Sequence, residues 1–219
     1  MDLTQFSPSS ALMTVVLLAL APFVAVMVTS FTKIVVVLSL LRNALGLQQS
    51  PPNVVLNGLA LVLSLYIMFP VVQAMTDRVQ GFDNIAGNTK TMLAAADTAK
   101  EPLRDFLVKH APPRERAFFL KTAQKSLPPE RGAQLSDRDF LVVVPAFTVS
   151  ELSAAFQIGF LIFLPFLVID LVISNILMAM GMMMLSPTTV SMPFKLLLFV
   201  LVDGWTLTVN TLVTSIQAY

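Results

Sequence analysis

The chain has 219 residues, of which 56% are hydrophobic and only 12% are charged, and its mean hydropathy is +0.79. These values exclude an ordinary soluble domain and predict an integral membrane protein. The net charge of +1 gives no reason to expect nucleic-acid binding. The chain has no cysteine, which excludes disulfides and thiolate metal sites. It has a single histidine, which argues against a histidine-based metal site. That residue, His110, stands beside Pro112 and Pro113, where we expect a solvated surface side chain.

The charged residues are unevenly distributed, which divides the chain into three parts. Of the 27 acidic and basic side chains, 20 lie between residues 77 and 139. We predict a first hydrophobic helical hairpin at residues 1–76, a polar and mainly helical periplasmic domain at 77–139, and a second hydrophobic hairpin at 140–219. The predicted fold is all-α, with four long, hydrophobic, partly broken helices of the integral-membrane type.

The first hydrophobic segment is uncharged, and its apolar centre at residues 11–31 is long enough to cross a bilayer. Pro22 inside it predicts a kink or a break. Because no basic region precedes it, we expect no cleaved signal peptide and a mature chain that begins near Met1.

The second hydrophobic segment follows a clear interruption. Gly46, Pro51 and Pro52 end the preceding apolar run. The segment then extends over residues 53–75, with Pro70 near its far end. The two segments together predict a hairpin of hydrophobic helices.

The polar middle part is predicted to contain short helices, for example at residues 101–109 and 114–125. It has no phosphate-binding glycine loop, no HExxH and no GxSxG motif. We therefore assign no catalytic residue there.

The second hydrophobic half has two further segments. The third, residues 153–180, is longer than one crossing needs and contains Pro165 and Asp170, which predicts that it is broken or tilted. The fourth opens where Pro193 suits a first helical turn, and it runs to about Ile216.

Orientation follows from the positive-inside rule, which counts basic residues in short loops near the membrane. Lys33 and Arg42 flank the first turn, and Lys195 lies just after the last one. This pattern predicts that both short connections are cytoplasmic, whereas the termini and the middle domain lie outside.

Methionines cluster near the end of the third segment, where residues 170–186 contain five of the chain's twelve. Met182, Met183 and Met184 cannot all face one side of a regular helix, because each residue turns the helix by about 100°. Gly181, before these three methionines, and Pro187, after them, each favour a helix break. We predict a short methionine loop, with core packing or lipid contact as the alternative role.

Six charged residues lie in the otherwise apolar regions. They are the cations Lys33, Arg42 and Lys195 and the anions Glu151, Asp170 and Asp203. A charge in mid-bilayer costs at least about 2.5 kcal/mol, so such residues normally pair, line water or reach an interface. We expect pairing, within one chain or between copies; snorkelling of the cations to the headgroups is the alternative.

Three stretches carry a family resemblance: VPAFTVSELSAAFQIGFLIFLPFLVIDLVISNILMAMGMMMLSP at residues 144–187, MPFKLLLFVLVDGW at 192–205, and TSFTKIVVVLSLLRNALGLQQSPPNVVLNGLALVL at 29–63. They resemble the FliP/SctR (YscR/HrcR) family, which forms the core of the export apparatus in type III secretion systems. The missing basic leader favours the injectisome branch over the flagellar branch.

The resemblance implies a non-enzymatic, cofactor-free subunit of the export gate in the bacterial inner membrane, at the base of the secretion machine. It implies a homo-oligomeric ring of five copies, with SctS/FliQ-like, SctT/FliR-like and SctU/FlhB-like partners and unfolded protein substrates in transit. It also implies that Met182, Met183 and Met184 close the pore as a gasket, and that Glu151 and Lys195 form an inter-subunit salt bridge.

Two other function classes fit parts of the sequence. Broken helices and buried charges are also typical of a secondary transporter or channel for small solutes, with Asp170 as its coupling site, although the two halves show no convincing inverted repeat. An intramembrane protease would need a nucleophile and base, and no such pair is visible.

Overall fold

The structure is a computed structural model that describes residues 8–80 and 89–217. Helices make up the regular structure of these ranges, which confirms the all-α prediction. In chain order they are α1 (Pro8–Met27), α2 (Phe31–Ala44), α3 (Asn53–Gln80), α4 (Thr89–Ala99), α5 (Glu101–His110), α6 (Pro113–Ser126), α7 (Pro129–Gly132), α8 (Phe140–Ala179), α9 (Pro187–Leu201) and α10 (Gly204–Gln217).

Helix α8 organises the structure because it is the longest element and four other helices, α2, α5, α6 and α9, pack on it. Its 40 residues extend for about 60 Å. Its closest neighbour is α2, and the two helices meet at Gly159. A Cβ atom there would lie 2.2 Å from Leu40 Cδ1, so the close approach requires glycine. Ile34 and Val37 of α2 are fully buried beside Ala155 of α8.

Helices α3 and α10 complete the core that α2 and α8 begin. Helix α3 contributes Leu56 and Ala60, and α10 contributes Leu212 and Ile216. The end of the chain is therefore packed against the first hairpin. The two hydrophobic halves share one interior.

The middle helices α5 and α6 pack on the first part of α8. Leu107 and Ala111 are buried against Val143 and Phe147. The predicted start of the third segment at residue 153 is therefore wrong, since α8 begins at Phe140. The first turns of α8 are apolar as well, and α5 and α6 cover one side of them, where Val142 and Val143 are buried.

Three prolines lie inside continuous helices. Helix α1 continues through Pro22, α3 through Pro70 and α8 through Pro165, so a helix break at Pro22 or Pro165 is wrong. The alternatives, a kink at Pro22 and a tilt of the third segment, stay predictions. A proline removes one backbone hydrogen bond, and an apolar environment strongly favours keeping the others within the helix. Bends occur instead between α1 and α2 (64°) and between α9 and α10 (63°). Helix α9 begins at Pro187, not near Pro193.

Two helices, α3 and α8, are long and apolar enough to cross a membrane. The number rises to four if each bent pair, α1 with α2 and α9 with α10, is one span. Many large hydrophobic side chains on these elements are exposed, for example Phe23, Leu65, Phe160 and Leu201. Apolar surface of this extent contacts lipid or other subunits.

Candidate functional site

The methionine loop begins where α8 ends in a left-handed turn. Gly181 has φ of +75°, a conformation that favours glycine because it has no Cβ. Its amide donates to the Met178 carbonyl (3.0 Å), and the Met182 amide donates to the Leu177 carbonyl (2.9 Å). These two bonds are a Schellman motif, which satisfies the last carbonyls of the helix. The chain leaves α8 here, and α9 begins six residues later at Pro187.

The three consecutive methionines of the loop are exposed in the single chain. The exposed fractions are 41% for Met182, 83% for Met183 and 102% for Met184. The loop therefore presents three adjacent apolar side chains at the surface of the single chain.

Met178 and Met180 precede Gly181, and because methionine often fills helix packing we expect them to pack between helices. Both are more than half exposed, at 55% and 61%. Their exposed fractions lie within the range of those of Met182, Met183 and Met184, so exposure in a single chain does not distinguish the two groups of methionines.

A polar network lies beside the loop and joins three helices. Asp170 on α8 accepts from Lys195 Nζ (2.6 Å) and from Ser191 Oγ (2.5 Å), both on α9. Lys195 Nζ also donates to the carbonyl of Ala44 at the end of α2 (3.1 Å). Helix α9 follows the methionine loop directly. The hydrogen bonds of Ser191 and Lys195 therefore hold α9 against α8 and α2, and so hold the chain just after the loop.

A second buried ion pair joins α2 to α8. Lys33 Nζ lies 3.4 Å from Glu151 Oε1, with side-chain exposures of 1% and 4%. The other carboxylate oxygen, Oε2, is buried and has no hydrogen-bond partner within residues 8–80 and 89–217. One acceptor of Glu151 is thus available to a donor from outside the described chain.

The last two of the six charged residues are Arg42 and Asp203, and both line the same cavity. Arg42 Nη1 donates to Asn53 Oδ1 (2.6 Å) and to the Pro51 carbonyl (3.3 Å), so it holds the turn between α2 and α3. Asp203 is exposed at the bend between α9 and α10, with φ of +49°. The cavity of about 310 Å³ between them is also lined by Trp205.

The predicted salt bridge between Glu151 and Lys195 joins two copies, and a single chain does not test it. Within this chain Glu151 pairs with Lys33, and Lys195 pairs with Asp170. The inter-subunit pair stays a prediction.

His110 was expected on the surface, and that expectation is wrong. Only 7% of the residue is exposed. It lies at the end of α5, and its ring nitrogens are within hydrogen-bond distance of two backbone carbonyls, those of Phe106 and Ile216. Its position before two prolines marked the helix end correctly, but no local pattern indicated the distant helix that covers it.

Across the part of the chain that the structure describes, no group of three or more histidine, aspartate or glutamate side chains is placed to hold a metal ion. The site is built from thioethers, two buried ion pairs and backbone carbonyls.

Comparisons with known proteins agree over nearly the whole chain. A family model described as the FliP family matches residues 12–212. The hypersensitivity response secretion protein HrcR of Ralstonia nicotianae is 50% identical over 209 residues, which cover 94% of this chain and 96% of that protein. The Yop proteins translocation protein R of Yersinia pestis is 52% identical over 199 residues (91% and 92%). The flagellar biosynthetic protein FliP of Caulobacter vibrioides is 47% identical over 206 residues (94% and 74%).

Proposed function

This chain belongs to the FliP family, and we propose that it is a structural subunit of the export apparatus of a type III secretion system. Relatives named for secretion and translocation support this assignment, because the alignments cover more than 90% of both proteins. The flagellar relative from Caulobacter is covered over only 74% of its length, which favours the injectisome branch.

In this proposal several copies, five as in the family, assemble in the inner membrane with SctS-like and SctT-like subunits and with an SctU-like protein. The exposed apolar faces of α1, α3, α8 and α9 support an assembly, because one copy leaves them without partners among the described residues. Glu151 Oε2 has no hydrogen-bond partner among the described residues, and a donor there would remove the cost of an unpaired buried acceptor. Because Glu151 and Lys195 are 3% and 2% exposed in the single chain, a salt bridge between Glu151 of one copy and Lys195 of the next requires both side chains to leave their present partners on assembly.

The methionine loop is proposed to close the pore of that assembly. The observation that carries the proposal is the exposure of three consecutive methionines between a glycine turn and a fixed helix start. Methionine is unbranched and polarizable, so a ring of such side chains seals against water and ions. The same flexibility lets the ring open around an unfolded chain without making specific contacts. We propose such unfolded proteins as the substrates.

The test is a conductance or dye-leak measurement on cells or liposomes that contain the assembled apparatus. Replacing Met182, Met183 and Met184 together by alanine should make the closed apparatus leak small ions, because the shorter side chains no longer fill the opening. The matched control replaces Met178 and Met180 by alanine, since these precede Gly181 and lie outside the three-methionine loop. Unchanged conductance in an assembled triple variant would defeat the gasket proposal.

A further inference from the structure

The chain's single histidine joins two helices that are far apart in sequence. His110 is the last residue of α5 and is 7% exposed. Its Nδ1 lies 2.8 Å from the carbonyl oxygen of Phe106, one turn earlier in α5. Its Nε2 lies 2.9 Å from the carbonyl oxygen of Ile216, in the last turn of α10. The ring thus bridges the middle region and the end of the second hairpin.

Both groups that face the ring can only accept hydrogen bonds. A neutral imidazole has one N–H donor and one acceptor nitrogen, whereas an imidazolium has two donors. Either neutral tautomer would therefore point a nitrogen lone pair at a carbonyl oxygen less than 3 Å away. Only the doubly protonated ring makes both bonds at once.

The surroundings of His110 contribute further attraction to a positive ring. The ring lies at the carboxyl ends of both α5 and α10, where helix dipoles favour a cation. Two aromatic rings are also close, with centroids 4.3 Å (Phe106) and 6.4 Å (Phe147) from that of His110. Aromatic faces attract cations at such distances.

Two cavities, of about 450 and 500 Å³, border His110, and charged residues of five helices line them. These residues are Lys33 (α2), Arg78 (α3), Asp105 and Lys109 (α5), Arg116 (α6) and Glu151 (α8). Several are already neutralised: Lys33 by Glu151, Asp105 by Arg138 at 2.6 Å, and Arg116 by Asp137. Arg78 and Lys109 add positive charge near the ring, and the cavities give it contact with solvent.

We propose that His110 is a pH-dependent clamp between the middle helical region and the end of α10. The protonated ring holds both carbonyls. When the ring loses a proton, a lone pair faces one of the carbonyls, and the last turn of α10 separates from α5. The last turn of α10 is therefore docked while the ring carries two protons and becomes looser when the ring loses one.

The test follows the ring and the helix in the same sample of the purified full-length protein. Because His110 is the only histidine, ¹⁵N-histidine labelling reports the protonation of this ring alone by NMR. Amide hydrogen exchange is measured in parallel for residues 212–217 and, as an internal reference, for the buried core of α2 at residues 34–41. Relative to the reference, exchange at the end of α10 should accelerate about tenfold or more as the ring deprotonates, the effect of losing a hydrogen bond to a charged donor.

The variant His110→Gln separates the clamp from general effects of pH. Its neutral side chain should leave the end of α10 exchanging fast, relative to the reference, at every pH. If this variant does not fold, the comparison of ring protonation and amide exchange in the wild-type protein still tests the proposal. Constant protection of residues 212–217 while the ring titrates would overturn the proposal, and so would protection at acidic pH with a ring that carries only one proton.

Discussion

Lys33 on α2 and Glu151 on α8 form an ion pair between two helices that pack directly on each other, although 118 residues separate them. Their atoms Nζ and Oε1 are 3.4 Å apart, and both side chains are almost fully buried. Removing one member of such a pair leaves an uncompensated charge, whereas replacing both by apolar residues costs far less.

The first prediction concerns this pair. Lys33→Met or Glu151→Met alone should each lower the free energy of unfolding by about 3–5 kcal/mol, and the double replacement should cost less than either. Thermal or denaturant unfolding of the purified protein measures the difference. Lys100→Met is a suitable control because it breaks an exposed pair with Asp97 and should change little. A double variant that is less stable than both single variants would contradict a direct interaction.

The second prediction concerns the proposed bond between copies. Glu151→Lys and Lys195→Glu should each reduce assembly, and their combination should restore it if the two residues meet across an interface. Lys195→Glu also places a carboxylate beside Asp170, its partner in the same chain. Glu151→Lys in turn places an ammonium group beside Lys33. The swap is therefore made in a background that carries Asp170→Asn and Lys33→Met, which removes both repulsions. Assembly is measured by size-exclusion chromatography or native gels. The charge swap fails its test if the combined variant assembles no better than the single ones.

The third prediction concerns the network beside the methionine loop. Asp170→Asn should lower the free energy of unfolding by about 1–3 kcal/mol, because Lys195, which is 2% exposed, loses its charged partner. Hydrogen exchange in residues 187–195 should accelerate, since the start of α9 is no longer fixed. Asp203→Asn is the matched control: Asp203 is exposed, and asparagine tolerates its left-handed backbone. Equal effects of the two changes would show that the network does not position α9.

The fourth prediction concerns the turn that starts the loop. Gly181→Ala should cost about 1–2 kcal/mol, because φ at this position is +75°. Gly58→Ala makes the same chemical change within α3, where no atom of the described residues lies within 4 Å of the added methyl group. It should stabilise the protein by about 0.5–1 kcal/mol. The free energy of unfolding and the leak of the assembled apparatus are measured for both variants. Equal stability of the Gly181→Ala and Gly58→Ala variants would contradict the requirement for glycine at position 181.

Local chemistry made much of the helical framework predictable. The turn from α2 to α3 lies where Gly46, Pro51 and Pro52 interrupt the apolar runs, and α8 ends just before Gly181. The short helices α5 and α6 also match their predicted ranges closely. Such ends depend on neighbouring residues in the chain, so the sequence displays them directly.

Proline was a poorer guide than glycine in this chain. Pro22, Pro70 and Pro165 lie inside continuous helices, while the bend before α10 falls at Val202 and Asp203. There Gly204 packs so closely on Phe199 that a Cβ would lie 2.2 Å from its ring. The position of a bend thus depends on which helices pack around it.

The amino-acid sequence by itself determined the all-helical membrane character, the family and the position of the methionine loop, because hydropathy, turn residues and motif spacing are properties of the chain in order. Only the tertiary structure decided the partners of the buried polar groups: Lys33 with Glu151, Lys195 with Asp170, and His110 with the end of α10. These partners depend on which helices pack together and on which residues face each other where the helices cross. That arrangement is set by the packing of apolar side chains along α8, which no local pattern specifies.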